Sequence, residues 1–177
     1  MRLTQLALEG AYVIESAPFW DERGYFARVW SAEQFAAWGL ETEIAQVSTS
    51  YNRRRGTIRG MHFQIAPHEE VKLVRCTAGS LYDVLLDLRP ASATYLRWCS
   101  VELKAENPRT MYVPRGVAHG FQTLTDHTEV CYQITPGFCA AAYKGVRWND
   151  PAFGIIWPVP EGVTISVRDS EYPDYQG

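Results

Sequence analysis

Two residue types that could move a proton lie close together in the middle of the chain. His62 stands in a run where apolar and other residues alternate, and a strand there would place Gly60, His62 and Gln64 on one face. Lys72 begins a second alternating run after a polar link. Two neighbouring strands could therefore present an imidazole and an ammonium group to one cavity. Such a pair suits removal of a proton next to a carbonyl, because the cation stabilises the enolate oxygen.

Two further side chains could join this pair. His119 follows a Pro-Arg-Gly turn at the start of a strand-like run, where it would point into the mouth of a barrel. Together with His62 it would make a two-histidine cavity, which could bind a metal or transfer protons. Asp169 ends a last predicted strand, residues 165–169, and could orient an imidazole and stabilise its protonated form.

Length and composition indicate one packed globular domain over residues 1–177. The chain is 46% hydrophobic and 13% aromatic, which argues against disorder. No apolar run is long enough to span a membrane, and residues 1–10 have no apolar core typical of a secretory signal. The net charge of -3 gives no general attraction to nucleic acid or anionic lipid. We expect a cytoplasmic protein.

The cysteines and one basic loop offer weaker signals. Four cysteines lie singly with no Cys-x-x-Cys pair, so the sequence predicts buried free thiols rather than a zinc ribbon or redox centre. Arg53, Arg54 and Arg55 form a basic loop that is typical of a solvated surface. Its closeness to His62 leaves phosphate recognition as the alternative.

Many short alternating runs separated by turns predict an all-β sandwich or barrel. The one clear helix covers residues 31–39, with Ser31 as its cap, Gln34 as in a capping box and Gly39 at its end. Before it, residues 19–26 form a turn with exposed aromatics. From that turn Arg23 is free to project towards a ligand or a partner subunit.

Taken together, these stretches resemble the dTDP-4-dehydrorhamnose 3,5-epimerase family of nucleotide-sugar epimerases. The resemblance runs from about Phe19 to Pro173, and any one stretch alone would be a weak signal. The matching stretches, in family order, are residues 21–26, 56–64, 71–74, 83–89, 113–121, 148–151 with 155–158, and 166–169.

The resemblance implies an all-β cupin jelly-roll barrel with a few short helices, a homodimer, and a reaction on a nucleotide sugar that needs no metal or redox cofactor. It assigns the base to His62, the cation near the sugar C4 oxygen to Lys72, the proton donor to Tyr132 and the carboxylate behind the base to Asp169. It assigns substrate contacts to six further residues: Arg23 and Phe26, which would reach the neighbouring subunit's site, and Gln46, Arg59 (phosphate), His119 (cavity) and Trp148.

Three positions depart from the family pattern. Arg28 and Tyr143 stand where the family commonly has Glu, and Ser48 stands where it has Asn. These positions concern ligand recognition and local structure more than proton transfer. The sequence therefore leaves open which nucleotide is bound, and whether one or two sugar carbons are epimerised.

Two other functions compete with this one. A metal-dependent cupin isomerase or oxygenase could use His119 with Glu69 or Glu70, but the His-x-His pair is missing at His62. A non-catalytic sugar-binding cupin would keep the cavity without the chemistry. Such a module has no need for an acid (Tyr132) opposite a base.

Overall fold

A computed structural model describes residues 1–177, and it confirms the all-β prediction. Thirteen strands and two short helices follow one another along the chain. They are β1 (Arg2–Gln5), β2 (Tyr12–Glu15), β3 (Phe19–Asp21), β4 (Gly24–Phe26), α1 (Ala32–Ala37), β5 (Gln46–Asn52), β6 (Ile58–Gln64), β7 (Val71–Ala78), β8 (Ser80–Asp87), β9 (Trp98–Lys104), β10 (Arg109–Val113), β11 (Val117–Thr123), β12 (Thr128–Thr135), β13 (Tyr143–Gly145) and α2 (Val167–Ser170).

Two antiparallel sheets face each other, as in a jelly roll. The first sheet has six strands in the order β1-β2-β10-β7-β12-β5, and the second has five in the order β13-β6-β11-β8-β9. From β5 to β8, and again from β9 to β13, consecutive strands alternate between the two sheets, so β6 and β7 lie in different sheets. The hairpin β3–β4 pairs only with itself.

The main core fills the space between the two sheets. Its 13 buried residues come from both inner faces, with Val74 and Met111 from the first sheet and Leu85 and Phe121 from the second. Alternation along each strand explains this set, because every second side chain of a strand faces the same way. Apolar packing here closes one end of the sandwich and leaves the other end to polar residues.

Both outer faces of the sandwich are also covered. On the first sheet, Phe35 of α1 packs with Val71 and Leu73 in a smaller cluster of five buried residues. On the second sheet, Phe153 and Trp157 of the long C-terminal segment pack in a cluster of eight buried residues. These outer layers allow β7 and β6 to carry apolar side chains outwards and still turn polar ones inwards.

Two local predictions at the helices differ in outcome. Gly39 ends α1 with a φ of +70°, as expected, but the Ser31 side chain makes no capping hydrogen bond. The predicted last strand is wrong: the residues around Asp169 form the short helix α2 instead. The Ser166 side chain caps it by accepting a hydrogen bond from the backbone N–H of Asp169 at 3.1 Å. This cap fixes the carboxylate at the start of a helical turn.

The cysteines are all free, as predicted, although only Cys76 is buried. Cys99, Cys131 and Cys139 are partly accessible. No helix is both long enough and apolar enough to cross a membrane.

One close backbone contact ties β6 to β11. A Cβ atom added to Gly60 would lie 2.4 Å from Gly120 Cα and 3.0 Å from His119 O, and the φ of Gly60 is +130°. A Cβ on Gly120 would in turn lie 2.6 Å from Met61 Sδ. Neither position can accept a side chain unless the strands move apart.

We therefore expect Gly60→Ala to lower the free energy of unfolding by about 2–5 kcal/mol, through backbone strain and overpacking together. Gly154→Ala is the matched control, since Gly154 also has a positive φ of +60° but nothing lies within 4 Å of an added Cβ. The control should cost only about 1–2 kcal/mol. Denaturant unfolding of the two variants measures the difference, and equal losses would contradict the steric argument.

Candidate active site

A cavity of about 580 Å³ opens between the two sheets at their polar end. Strands from both sheets and the C-terminal segment contribute its walls. It is lined by Gln46, Ser48, Thr57, Ile58, Arg59, His62, Glu70, Lys72, His119, Phe121, Tyr132, Ile134, Phe138, Tyr143, Thr164, Ile165, Ser166 and Asp169. Ten residues were predicted for the site, and two of them, Arg23 and Phe26, were expected to reach the cavity of the neighbouring subunit. Of the other eight, all except Trp148 line this cavity.

A β-bulge in β6 determines which residues of that strand face the cavity. His119 pairs with His62 and Phe121 pairs with Arg59, so two residues of β6 lie opposite Gly120 alone. The extra residue turns both Arg59 and His62 inwards. Simple alternation would place these two on opposite faces. Gln64 is buried outside the cavity, where it bonds to the Cys139 N–H and the His68 carbonyl.

His62 and Asp169 form a hydrogen-bonded pair. The His62 Nε2 to Asp169 Oδ1 distance is 2.8 Å, with 20% of the imidazole and 7% of the carboxylate exposed. The second carboxylate oxygen accepts the Gly60 N–H at 3.3 Å. Because Asp169 is anchored by both α2 and the bulge, it can hold the imidazole in one orientation.

The environment sets the protonation of this pair. Burial lowers the pKa of the His62 imidazole, and its hydrogen bond and charge interaction with Asp169 offset this only in part. Burial raises the pKa of the Asp169 carboxyl, but the His62 interactions and the Gly60 N–H outweigh burial and hold that pKa below its usual range. At neutral pH the pair is therefore a neutral imidazole beside a carboxylate, which is the form a general base requires.

Lys72 reaches the same point from the opposite wall. Its strand β7 belongs to the first sheet, so the expectation that it neighbours the His62 strand is wrong: the two strands face each other across the cavity. Lys72 Nζ donates to the His62 carbonyl at 3.2 Å and lies 2.8 Å from Glu70 Oε1. The ammonium and the Glu70 carboxylate are both buried. A buried, paired ammonium is a fixed positive charge in the cavity.

Tyr132 also stands on the first sheet, in β12. Its hydroxyl lies 3.3 Å from Ser50 Oγ of β5, and its ring meets the His119 ring edge-on at 6.2 Å between centroids. Burial raises the pKa of the Tyr132 hydroxyl well above its ordinary value. The hydroxyl therefore carries its proton at neutral pH, on the wall opposite His62.

His119 forms a second pair with a carboxylate. Its Nε2 lies 2.7 Å from Asp83 Oδ1, and both side chains are buried. Asp83 was not among the predicted site residues, and only its position on the strand next to His119 could have suggested it. No group of three or more His, Cys, Asp and Glu side chains is placed so that it could hold a metal ion.

The predicted substrate-binding residues fall into two groups. Arg59 and Gln46 line the cavity, where Arg59 Nε donates to Asn52 Oδ1 at 2.8 Å and Gln46 Nε2 donates to Ser48 Oγ at 2.9 Å. Trp148 does not reach the cavity. Its ring packs on the outer cluster of the second sheet, and its carbonyl accepts the Trp157 indole N–H at 2.9 Å.

Arg23 and Phe26 also lie away from the cavity of their own chain. They stand on the exposed hairpin β3–β4, with 84% of the Arg23 side chain accessible and Phe26 73% exposed. Arg23 is held by Asp21, whose carboxylate accepts from its backbone N–H at 2.8 Å. This placement leaves both residues free for contact with another chain.

Tyr143 lines the cavity although the sequence suggested only that it departs from the family pattern. Its ring centroid is 5.1 Å from that of His62, and the Arg168 guanidinium lies 4.4 Å from the Tyr143 centroid. Arg168 precedes Asp169, so this cation–π contact ties α2 to the wall beside His62. Phe138 packs edge-on against the same ring at 5.4 Å.

An all-β jelly roll whose cavity holds a neutral His–Asp pair and a cation opposite a protonated tyrosine has the arrangement expected of a cupin-type isomerase. The family model for dTDP-4-dehydrorhamnose 3,5-epimerase matches residues 5–176. The chain therefore belongs to the dTDP-4-dehydrorhamnose 3,5-epimerase family, and it is an epimerase.

Individual relatives support this membership. The chain is 39% identical to dTDP-4-dehydrorhamnose 3,5-epimerase of Sinorhizobium fredii over 173 residues, which covers 98% of this chain and 89% of the relative. The crystal structure of the Elizabethkingia anophelis enzyme superposes with a TM-score of 0.95 at 35% identity, covering 99% of this chain and 96% of that one. The Bacillus anthracis enzyme, solved with TDP and PPi bound, gives 0.94 at 36% identity, covering 98% and 99%.

Replacing Asp169 tests the electrostatic coupling at the base. In Asp169→Asn the carboxylate that favours the charged imidazole is gone, so the pKa of His62 should fall further below its ordinary value. A pH titration of the imidazole proton signals by NMR measures this shift. Turnover should drop by about 10²-fold or more, because the orienting carboxylate is lost.

The matched control is Asp174→Asn, which removes a carboxylate from the same C-terminal segment. Asp174 pairs with Arg147 and is not a partner of His62. In this control the His62 titration should stay as in the unaltered protein. A rise in the pKa of His62 in Asp169→Asn would refute the coupling.

Proposed function

We propose that this protein inverts C3 and C5 of a nucleotide-bound 4-keto-6-deoxy sugar of the dTDP-4-dehydro-6-deoxyglucose type, in deoxysugar biosynthesis. The observation that carries the proposal is the placement of base and acid on opposite walls. His62 belongs to the second sheet and Tyr132 to the first, and both line one cavity. Inversion at a carbon needs a proton removed from one face and returned to the other.

His62 begins the reaction as the base. The 4-keto group acidifies the protons on C3 and C5, and the neutral imidazole accepts one of them at Nδ1, because Nε2 donates its proton to Asp169. Asp169 then stabilises the imidazolium that results. The electron pair of the broken C–H bond moves into the enolate, whose oxygen is stabilised by the Lys72 ammonium. The pairing of Lys72 with Glu70 keeps that ammonium in place.

Tyr132 completes the inversion from the other wall. Its hydroxyl gives a proton to the carbon, on the face opposite to the one His62 attacked, and becomes a phenolate. Before the next inversion the phenolate takes a proton from solvent and the His62 imidazolium returns one to it. The raised pKa of Tyr132 keeps this proton available across the neutral range. Ser50 shares a hydrogen bond with the hydroxyl and so holds it in position.

The nucleotide end of the substrate would bind near Arg59. This guanidinium lines the cavity and donates its hydrogen bonds to neutral oxygens, those of Asn52 and Tyr51. Arginine forks bind phosphate oxygens well. The Bacillus anthracis relative was solved with TDP bound, which favours a thymidine nucleotide for this chain as well. The reaction needs no cofactor, because proton transfer within the cavity completes it.

We also propose that residues 1–177 act as one domain in a cytoplasmic homodimer. The hairpin β3–β4 supports a dimer, because three of its large apolar side chains are exposed to solvent. Phe19 is 72% exposed, Trp20 64% and Phe26 73%. An apolar patch of this kind is typical of an interface. In the dimer, Arg23 and Phe26 would complete the cavity of the neighbouring subunit.

Hydrogen exchange tests the chemistry directly. With dTDP-4-keto-6-deoxyglucose in deuterated water, proton NMR should show deuterium entering at C3 and C5. His62→Ala should lose exchange at both carbons by about 10²–10⁴-fold, since no base remains. Tyr132→Phe should keep proton removal by His62 but lose inversion by a similar factor, because the second face has no donor.

His68→Ala serves as the control, since His68 is an exposed histidine that does not line the cavity. The His68→Ala variant should catalyse hydrogen exchange at C3 and C5 at the rate of the unaltered protein. Exchange at C3 alone would limit the proposal to a single epimerisation. Full activity in His62→Ala, or normal inversion in Tyr132→Phe, would be incompatible with the roles assigned.

Mixed dimers test the shared site. Arg23→Ala and His62→Ala should each be weakly active alone, since one lacks the arginine and the other the base in every cavity. After unfolding and refolding together, a mixed dimer has one cavity with both groups intact. Random pairing should then restore about a quarter of the unaltered activity. No recovery, with dimers shown by ultracentrifugation, would rule out the exchange of Arg23 between subunits.

A further inference from the structure

A second, smaller cavity of about 260 Å³ adjoins the first, and we refer to it as the basic bay. Its walls include Arg53 and Arg54, which the proposed mechanism does not use. The bay shares three residues with the main cavity, namely Thr57, Arg59 and Thr164. The two spaces therefore adjoin at these residues, and Arg59 borders both.

The bay carries an uncompensated positive charge. Arg53, Arg54 and Arg59 take part in none of the ten ion pairs of the structure. The side-chain hydrogen bonds of Arg59 go to the neutral oxygens of Asn52 and Tyr51. Three guanidinium groups around one small space repel one another unless an anion lies between them.

The loop that carries these arginines has a fixed backbone. The Arg54 carbonyl accepts hydrogen bonds from Thr57 Oγ1 at 2.7 Å and Thr123 Oγ1 at 2.8 Å. The Arg53 carbonyl accepts the His127 N–H at 3.3 Å. Because the backbone of the loop is already fixed at successive residues, binding an anion there needs to order only the arginine side chains.

We propose that the basic bay is a phosphate subsite, in which the Arg53 and Arg54 guanidinium groups bind phosphate oxygens next to Arg59. The volume of the bay is below the roughly 300–1,000 Å³ that drug-sized ligands occupy, so it suits a small anion rather than a nucleoside. The Thr164 hydroxyl, which also lines the bay, provides a further donor. The natural source rests on the proposed function: it is the diphosphate of the nucleotide sugar, extended past Arg59.

Arg55 makes a matched control possible. It belongs to the same run of arginines, its side chain is in no ion pair, and it does not line the bay. Arg53→Ala, Arg54→Ala and Arg55→Ala each remove one exposed charge from the same loop. Isothermal titration calorimetry of the full-length variants with inorganic pyrophosphate, and separately with dTDP, compares their affinities. No turnover is needed, so the result is independent of whether the epimerase proposal holds.

Arg53→Ala and Arg54→Ala should each weaken pyrophosphate binding about 3- to 30-fold, because a charge-assisted hydrogen bond is lost. Arg55→Ala should change it by less than about twofold, since salt screens a charge that makes no contact. Parallel losses for dTDP support the nucleotide as the source, and losses for pyrophosphate alone support free phosphate. Equal losses in all three variants, or no loss in Arg53→Ala and Arg54→Ala, would overturn the subsite; Arg53→Gln and Arg54→Gln replace any alanine variant that fails to fold.

Discussion

The site depends on one steric constraint, the contact between Gly60 and Gly120. Two strands can approach this closely only where both lack a Cβ atom, and here an added one would lie 2.4 Å from the opposite Cα. The bulge formed at this point turns Arg59 and His62 to the same face. It also offers the Gly60 N–H to Asp169. One backbone irregularity thus turns His62 and Arg59 into the cavity and anchors Asp169, the carboxylate partner of His62.

The two sheets then divide the chemistry between them. The second sheet supplies His62, while the first supplies Lys72 and Tyr132 from β7 and β12, which are paired neighbours. The apolar outer layers make this division possible, because they let β6 and β7 bury side chains on both faces. A planar sugar enolate held between the sheets would meet a base on one side and an acid on the other. The geometry needed for inversion therefore follows from the sandwich itself.

Much of this arrangement could be predicted from the sequence, and the failures have physical causes. Alternation predicted the all-β fold, and the order of the motifs led to His62, Lys72, Tyr132 and Asp169, all of which line one cavity. A bulge adds a residue without changing local composition, so alternation did not reveal that Arg59 and His62 face the same cavity. Asp169 was assigned to a strand because the Ser166 cap that makes it helical is a single side-chain contact. Asp83 and Tyr143 were missed as site residues because their roles arise only from pairing across strands.

The balance of charges in the main cavity explains why the anionic group of a ligand would bind at the end of the cavity where Arg59 lies. Inside the cavity His62 pairs with Asp169, His119 with Asp83 and Lys72 with Glu70, so each basic group there has its own carboxylate. Buried groups of this kind need partners, since an unpaired charge in low dielectric is costly. Arg59 alone among the cavity's basic residues has no carboxylate, and it borders the basic bay. The charge of Arg59 is therefore left uncompensated at the rim, where a diphosphate would supply the missing negative charge.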